Sequence, residues 1–354
     1  MKKVLALLIS AVLMVSLVSV ALAEQPGFDA DATIGVALPW VGTQNWAEAS
    51  ELFESNLAAA GFKPIVQHAD NKAATQLQQI ESMIENGAKV LVVGAVDSNQ
   101  LGVVLEEAKA AGIYILGYDR LIENTAAVDG IVQSGSVETG RVQGRALLAG
   151  LAELKGEGPY NIELFGGGPL DPNAGNFFNG AMEILQPEID AGKLVVVSGQ
   201  ADFNTCATAD WDNATAQKRM DTLLSGFYAD KEIAGVLCPN DGIARAIITA
   251  SENAGQAIPV VSGLDCEDES VRWVVAGKQY STVYKSSADM VNGTIDIIKG
   301  LQAGNGLPEP TGTAANGKID VNLFELAPVA VTQANAAEVF ANDAAKLAIV
   351  NEAK

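Results

Sequence analysis

VLVVGAVDSNQLGVVLEEAKAAGIYILGYDR, from Val90 to Arg120, is the stretch whose reading decides the fold. It opens with four apolar residues, Val90–Val93, short and β-branched enough for a buried strand. A turn through Gly94 and Asp97 leads into Asn99–Ala111, where Leu101, Val104, Leu105 and Ala108 recur at the spacing of a helix with one buried face. Gly112 supplies the left-handed position just past a helix end, and Tyr114–Gly117 begins the next apolar run. Strand, helix and strand in so short a span make one βαβ unit. Runs that are apolar throughout, rather than at every second residue, belong to parallel sheets covered by helices on both faces.

The unit repeats in both directions. Upstream lie strand patterns at Ile34–Leu38 and Lys63–Gln67, and downstream one at Gly130–Gln133. A second series follows at Asn161–Phe165, Leu194–Ser198, Gly235–Cys238, Pro259–Gly263 and Ser281–Tyr284. Helical patterns fill the gaps, among them Trp46–Ala60, Ala73–Asn86, Glu138–Leu154 and Ala214–Tyr228. Two similar doubly wound α/β halves are therefore expected. Gly304–Lys318, rich in Gly, Pro and Thr, reads as an irregular excursion, and Pro328–Val331 and Ala334–Leu347 as a last strand and helix.

Residues 1–23, MKKVLALLISAVLMVSLVSVALA, have the lysines, apolar stretch and A-x-A end of a cleaved signal peptide. Cleavage near Ala23–Glu24 would deliver the chain to the periplasm. The remaining 331 residues suffice for two domains and keep 20 basic against 43 acidic side chains. A net charge near −23 repels nucleic acid and anionic lipid, which excludes nucleic acid as a partner. His68 is the one histidine, so most metal and triad chemistry is removed, and no cofactor or metal is expected. Cys206, Cys238 and Cys266 permit at most one internal disulfide.

In open parallel sheets, ligands sit beyond the carboxyl ends of the strands. Those ends carry Asn45 and Trp46, Asp97, Asp119 and Arg120, Asp171 and Asn173, Asn240 and Asp241, Asp265, and Lys285. Asp, Asn and Arg each present two parallel hydrogen-bonding atoms, a match to adjacent hydroxyls of a sugar. Trp46 and Trp211 could stack on the C–H faces of a pyranose. Each residue has a structural alternative: helix capping for Asp97, Asp171 and Asp241, a local ion pair for Asp119–Arg120, core packing for the tryptophans. Arg120 and Lys285 cannot accept from helix amides, so capping does not explain the whole set. The GGGP of Gly166–Pro169 lacks a phosphate-loop pattern and reads as a tight turn.

With these residues in place the chain resembles the periplasmic sugar-binding proteins of type I fold that serve ABC transporters. It stands nearest the multiple-sugar receptors, with xylose, ribose and galactose/glucose receptors further off. The most specific stretches are ILGYDRLI (115–122), GPYNIELFGG (158–167), KLVVVSGQ (193–200), WDNATAQKRMDTLL (211–224), PNDG (239–242), PVVSGLD (259–265) and GKQYSTVYK (277–285). The resemblance implies two Rossmann-like domains joined by a three-stranded hinge, residues 30–134 plus 286–306 and residues 135–285 plus 307–354. It implies a monosaccharide held by Asn45, Trp46, Asp119, Arg120, Asn173, Trp211, Asn240, Asp265 and Lys285. Delivery to an ABC permease, with a membrane sensor as a further partner, is the implied role. Asn45 and Asp210 stand where the nearest family members carry Arg, and Cys206 and Cys266 are expected beside the cleft. A secreted glycosidase would instead pair carboxylates such as Asp119 and Asp265, and a repressor core would begin with a helix-turn-helix rather than an export leader.

Overall fold

Strand and helix alternate from Thr33 onward in the computed structural model, which describes residues 27–353; the leader lies outside the described residues. The first lobe starts with β1 (Thr33–Leu38), α1 (Gln44–Ala59), β2 (Lys63–His68), α2 (Ala73–Glu85), β3 (Val90–Val93), α3 (Gly102–Ala110), β4 (Tyr114–Tyr118) and β5 (Gly130–Ser134). The second lobe follows with α4 (Ser136–Leu154), β6 (Tyr160–Leu164), α5 (Pro172–Asp190), β7 (Leu194–Val196), α6 (Phe203–Cys206), α7 (Asn213–Phe227), β8 (Gly235–Leu237), α8 (Asp241–Asn253), β9 (Val260–Val261), α9 (Asp268–Val275) and β10 (Ser281–Tyr284). The chain ends with α10 (Ser287–Gln302), β11 (Gly312–Ala315), β12 (Asp320–Leu326), β13 (Val329–Thr332), α11 (Ala336–Val339) and α12 (Ala344–Glu352).

The first sheet has the order β11-β12-β5-β4-β3-β1-β2, and the second β7-β6-β8-β9. All pairings are parallel apart from the β11–β12 edge and a separate antiparallel ribbon of β10 with β13. The continuous apolar runs have a simple cause. Val90 and Val92 enter the core between the first sheet and α1 and α10, while Leu91 and Val93 enter the core on the opposite face with α2 and α3. Both faces are covered, so no residue of β3 can be polar. The second sheet is likewise covered on both faces, Val236 lying in one core and Leu237 in the other.

One boundary differs from expectation. The segment after residue 307, expected with the second domain, first returns to the first. β12 pairs in parallel with β5 from Asn322–Gly130 to Leu326–Ser134, and β11 adds an antiparallel edge. The physical reason lies in the alternation of β12: Val321 and Leu323 face one core of the first lobe, Phe324 and Leu326 the other. Only then does β13 join the second lobe. The chain thus changes lobe between β5 and α4, between β10 and α10, and between β12 and β13. Two of these passages are tied together where Gly135 N and Ser134 Oγ both donate to the Leu326 carbonyl, at 3.2 and 3.3 Å.

Candidate functional site

The strand ends of the two lobes face each other across a cleft of about 390 Å³, counted with the solvent at its mouth. All nine residues that the resemblance assigns to the sugar line it, Asn45, Trp46, Asp119, Arg120, Asn173, Trp211, Asn240, Asp265 and Lys285, whereas Asp97 and Asp241 do not. Trp40, Thr43, Asp171, Phe177 and Leu264 complete the wall. Trp40 and Thr43 belong to the loop that leads into α1, just before Asn45. Phe177 stands four residues after Asn173 on α5, hence on the same helix face, a spacing that could have flagged it.

A charged cluster occupies one end. Lys285 Nζ lies 3.2 Å from Asp119 Oδ1 of the first lobe and 3.4 Å from Asp265 Oδ1 of the second. Burial pulls the ammonium down, but the two carboxylates outweigh it and hold Lys285 above the usual lysine range. Burial pushes the Asp265 carboxyl up to about 6 against the pull of Lys285, with Asp119 and Glu267 adding to the rise. Asn173 bridges the lobes as well, its Nδ2 donating to the Asp119 carbonyl at 2.8 Å and approaching Oδ2 at 3.4 Å.

Arg120 is held from three sides. Its Nη1 donates to the Ala95 carbonyl at 2.8 Å, its guanidinium lies 5.3 Å from the Trp46 ring centre, and its Nε is 2.9 Å from Asp171 Oδ2. That last pair is close in distance, yet Nε–H is not aimed at the oxygen and counts as an ion pair without a hydrogen bond. Asp171 also accepts from Asn173 N at 3.0 Å. Burial raises its carboxyl, Arg120 opposing. Asn240 likewise combines two roles: Oδ1 accepts from Ile243 N at 3.0 Å, capping α8, which leaves its NH₂ for the cleft. Asp97 serves only its own turn, accepting from Asn99 N and Gln100 Nε2. Asp241 supports the loop behind Asp265, accepting from Leu264 N at 3.1 Å and Glu267 N at 2.9 Å.

Two indole rings sit at the cleft in positions that only glycine permits. A Cβ on Gly94 would fall 2.9 Å from the Trp46 ring, and one on Gly167 would fall 2.1 Å from Trp211 Cη2. The GGGP turn is thus the bed of the Trp211 ring. Trp46 is also a core residue, 4% exposed and edge-on to Tyr118 at 6.0 Å. Trp211 is half-buried and meets Phe177 edge-on at 6.5 Å.

Two further observations mark this cleft. Among the described residues, eight buried side-chain atoms lack a hydrogen-bond partner, and three of them line it: Arg120 Nε, Trp211 Nε1 and Asp265 Oδ1. Of eight non-glycine residues with positive φ among the described residues, three line it, Asp119 (63°), Trp211 (56°) and Asp265 (92°), while Asn71 (56°) and Asp210 (55°) line an adjoining hollow and Cys266 (51°) follows Asp265. Strained backbone and orphaned polar atoms both cost stability, and proteins concentrate them where a ligand is met. Asp210 flanks the cleft in an adjoining hollow rather than lining its centre. Cys206 and Cys266, expected beside the cleft, are fully buried and line none of it; they lie in two different cores, with Cys238 in a third, and all three are free thiols.

Two α/β lobes joined by three passages, with a polar cleft between facing strand ends, define a hinged solute receptor. The chain belongs to the periplasmic binding protein domain family, which matches residues 34–306. It is 40% identical over 326 residues to the multiple sugar-binding periplasmic receptor ChvE of Rhizobium radiobacter, covering 90% of this chain and 92% of that one. It is 39% identical to the multiple sugar-binding periplasmic protein SbpA of Azospirillum brasilense, covering 86% of each. Among solved structures, an ABC transporter solute-binding protein from Clostridium phytofermentans with bound β-D-glucose is similar at a TM-score of 0.83. The identity there is 34%, over 89% of this chain and 99% of that chain.

Proposed function

We propose that this chain is a periplasmic receptor that closes on one aldose, such as glucose, xylose, galactose or arabinose, and presents it to an ABC importer. The observation that carries this reading is the set of three buried polar atoms without a hydrogen bond on residues of one cleft that also holds two indole rings. Hydroxyls on adjacent ring carbons can pair with Asp119, Arg120, Asn173, Asn240 and Asp265, each of which offers more than one polar atom. The apolar C–H faces of a pyranose suit the rings of Trp46 and Trp211. Relatives that carry multiple-sugar and glucose names support the class of solute. Closure is a shift between open and closed populations, driven by contacts made only when the lobes meet. Residues 1–23 act in this reading as the export leader. A membrane sensor would meet the same closed form as the permease.

Calorimetric titration of residues 24–354 with a panel of aldoses, amino acids and nucleosides tests the proposal. Micromolar or tighter binding of at least one aldose is expected. Heat from amino acids or nucleosides, with none from any aldose, refutes it.

A further inference from the structure

A second set of contacts crosses between the lobes without lining the cleft. Gln44 opens α1 in the first lobe, directly before Asn45 and Trp46. Asp268 opens α9 in the second, three residues after Asp265. The Gln44 side-chain amide donates to Asp268 Oδ1 at 2.7 Å and accepts from Asp268 N at 2.8 Å. It also donates to Glu48 Oε1, one turn along α1, at 2.8 Å. Lys346 of α12 in the second lobe donates to Asp268 Oδ1 at 2.7 Å and reaches Glu48 Oε1 at 3.3 Å. Lys346 is 5% exposed, so its ammonium is a buried cation with one carboxylate from each lobe. Burial draws its proton affinity down, and the two carboxylates more than restore it.

We propose that Gln44, Glu48, Asp268 and Lys346 form a latch that fixes how firmly the receptor retains its solute, while touching none of it. The inference rests on the receptor reading. When the lobes part, Lys346 keeps Asp268 but loses Glu48, and Gln44 loses both of its bonds to Asp268. Leaving a buried charge half-compensated is costly, so these contacts favour the closed form. Where the sugar-free chain is mostly open, an interaction confined to the closed form tightens binding by its own free energy and shows up mainly as slower release. Its position adds a second consequence. The latch holds the first residues of the two helices whose neighbouring residues, Asn45 with Trp46 and Asp265, line the cleft.

The test is stopped-flow and calorimetric titration of the best-bound aldose against wild type, Lys346→Met, Gln44→Ala and the double variant. Each single substitution should raise Kd three- to tenfold, with the release rate raised by a similar factor and the association rate unchanged. The double variant should be little worse than the weaker-binding single one, because both substitutions act on Asp268 and Glu48. Melting of the sugar-free proteins should move little. Unchanged Kd in both single variants overturns the latch. So does a sugar-free melting midpoint that falls as far as the sugar-bound one, since the contacts would then persist in the open form. If wild type binds no aldose, the receptor reading fails on its own, and the latch, which acts only on the sugar-closed form, falls with it.

Discussion

The first lobe brings Asp119 and Arg120 to the cleft from the end of a regular strand and Trp46 from the first turn of α1, whereas the second brings Trp211 and Asp265 from loops under strain. Trp46 is wedged into the core beside Tyr118, and Arg120 is fixed by the Ala95 carbonyl. Of the residues lining the cleft, Asp119 alone has positive φ on that side, against Trp211 and Asp265 on the other. Two of the three orphaned polar atoms, Trp211 Nε1 and Asp265 Oδ1, are also on that second side. The contrast teaches a division of labour: one wall is a rigid platform, and the other holds a conformation that a ligand would repay.

The largest effect should come from the residue that joins the two walls. Asp119→Ala leaves Lys285 with Asp265 alone and removes the side-chain acceptor from Asn173, which keeps only the backbone carbonyl, so loss of about 3 kcal/mol, a hundredfold or more in Kd, is expected by calorimetry. Loss of less than threefold would place Asp119 outside the working site. The tryptophans separate the walls. Trp211→Ala should weaken binding at least tenfold, about 2 kcal/mol, with a small change in the sugar-free melting midpoint. Trp46→Ala should weaken binding and also cost about 3 kcal/mol of stability, because its ring is part of the core. Equal stability losses in the two variants break the comparison.

Gly167→Ala sharpens it. The new methyl collides with the Trp211 ring, so a several-fold rise in Kd is expected, accompanied by altered Trp fluorescence; an unchanged Kd means that the bed of that ring is not needed. The smallest effect concerns pH. Burial raises Asp265 to about 6, and raises Asp241 to about 7 with Glu267 adding to the shift. A carboxyl raised on folding binds more protons folded than unfolded between the ordinary Asp value of about 4 and its folded value. The sugar-free chain should therefore gain stability as pH falls from about 8 to about 5, read as a rise in melting midpoint. Asp241→Asn should flatten that rise. A midpoint that drops steadily across the same window contradicts the assignment.

The sequence carries the strand ends well because each is announced locally. Val90–Val93 is too apolar for anything but a strand covered on both faces, and the polar residues just past such runs have one edge of the sheet to occupy. Asp119, Asn173, Asp265 and Lys285 were legible for that reason. The return of Gly312–Leu326 to the first sheet was not, because its pattern follows a Gly- and Pro-rich segment and its partner strand lies 192 positions earlier. Trp40 and Phe177 gave only weak signals, an adjoining loop and a shared helix face. The Lys346 contacts gave none: a lysine on a C-terminal helix looks like solubility until two carboxylates from different lobes are found around it. Asp97 and Asp241 show the opposite limit, where the residue type fits a site and the hydrogen bonds lead elsewhere.

The late return of β12 also governs how this molecule can be divided. As the chain is made, β5 presents a bare edge until the whole second lobe and α10 have followed it. Exposed strand edges invite pairing with other chains, so that interval is when aggregation threatens most. A fragment ending at residue 134 would keep that bare edge, and would also lack Met290, Val291, Ile295 and Ile298, the α10 side of its core. The first lobe is therefore no N-terminal module. To be produced alone it would need residues 286–326 spliced to its end, with the second lobe removed as an insert.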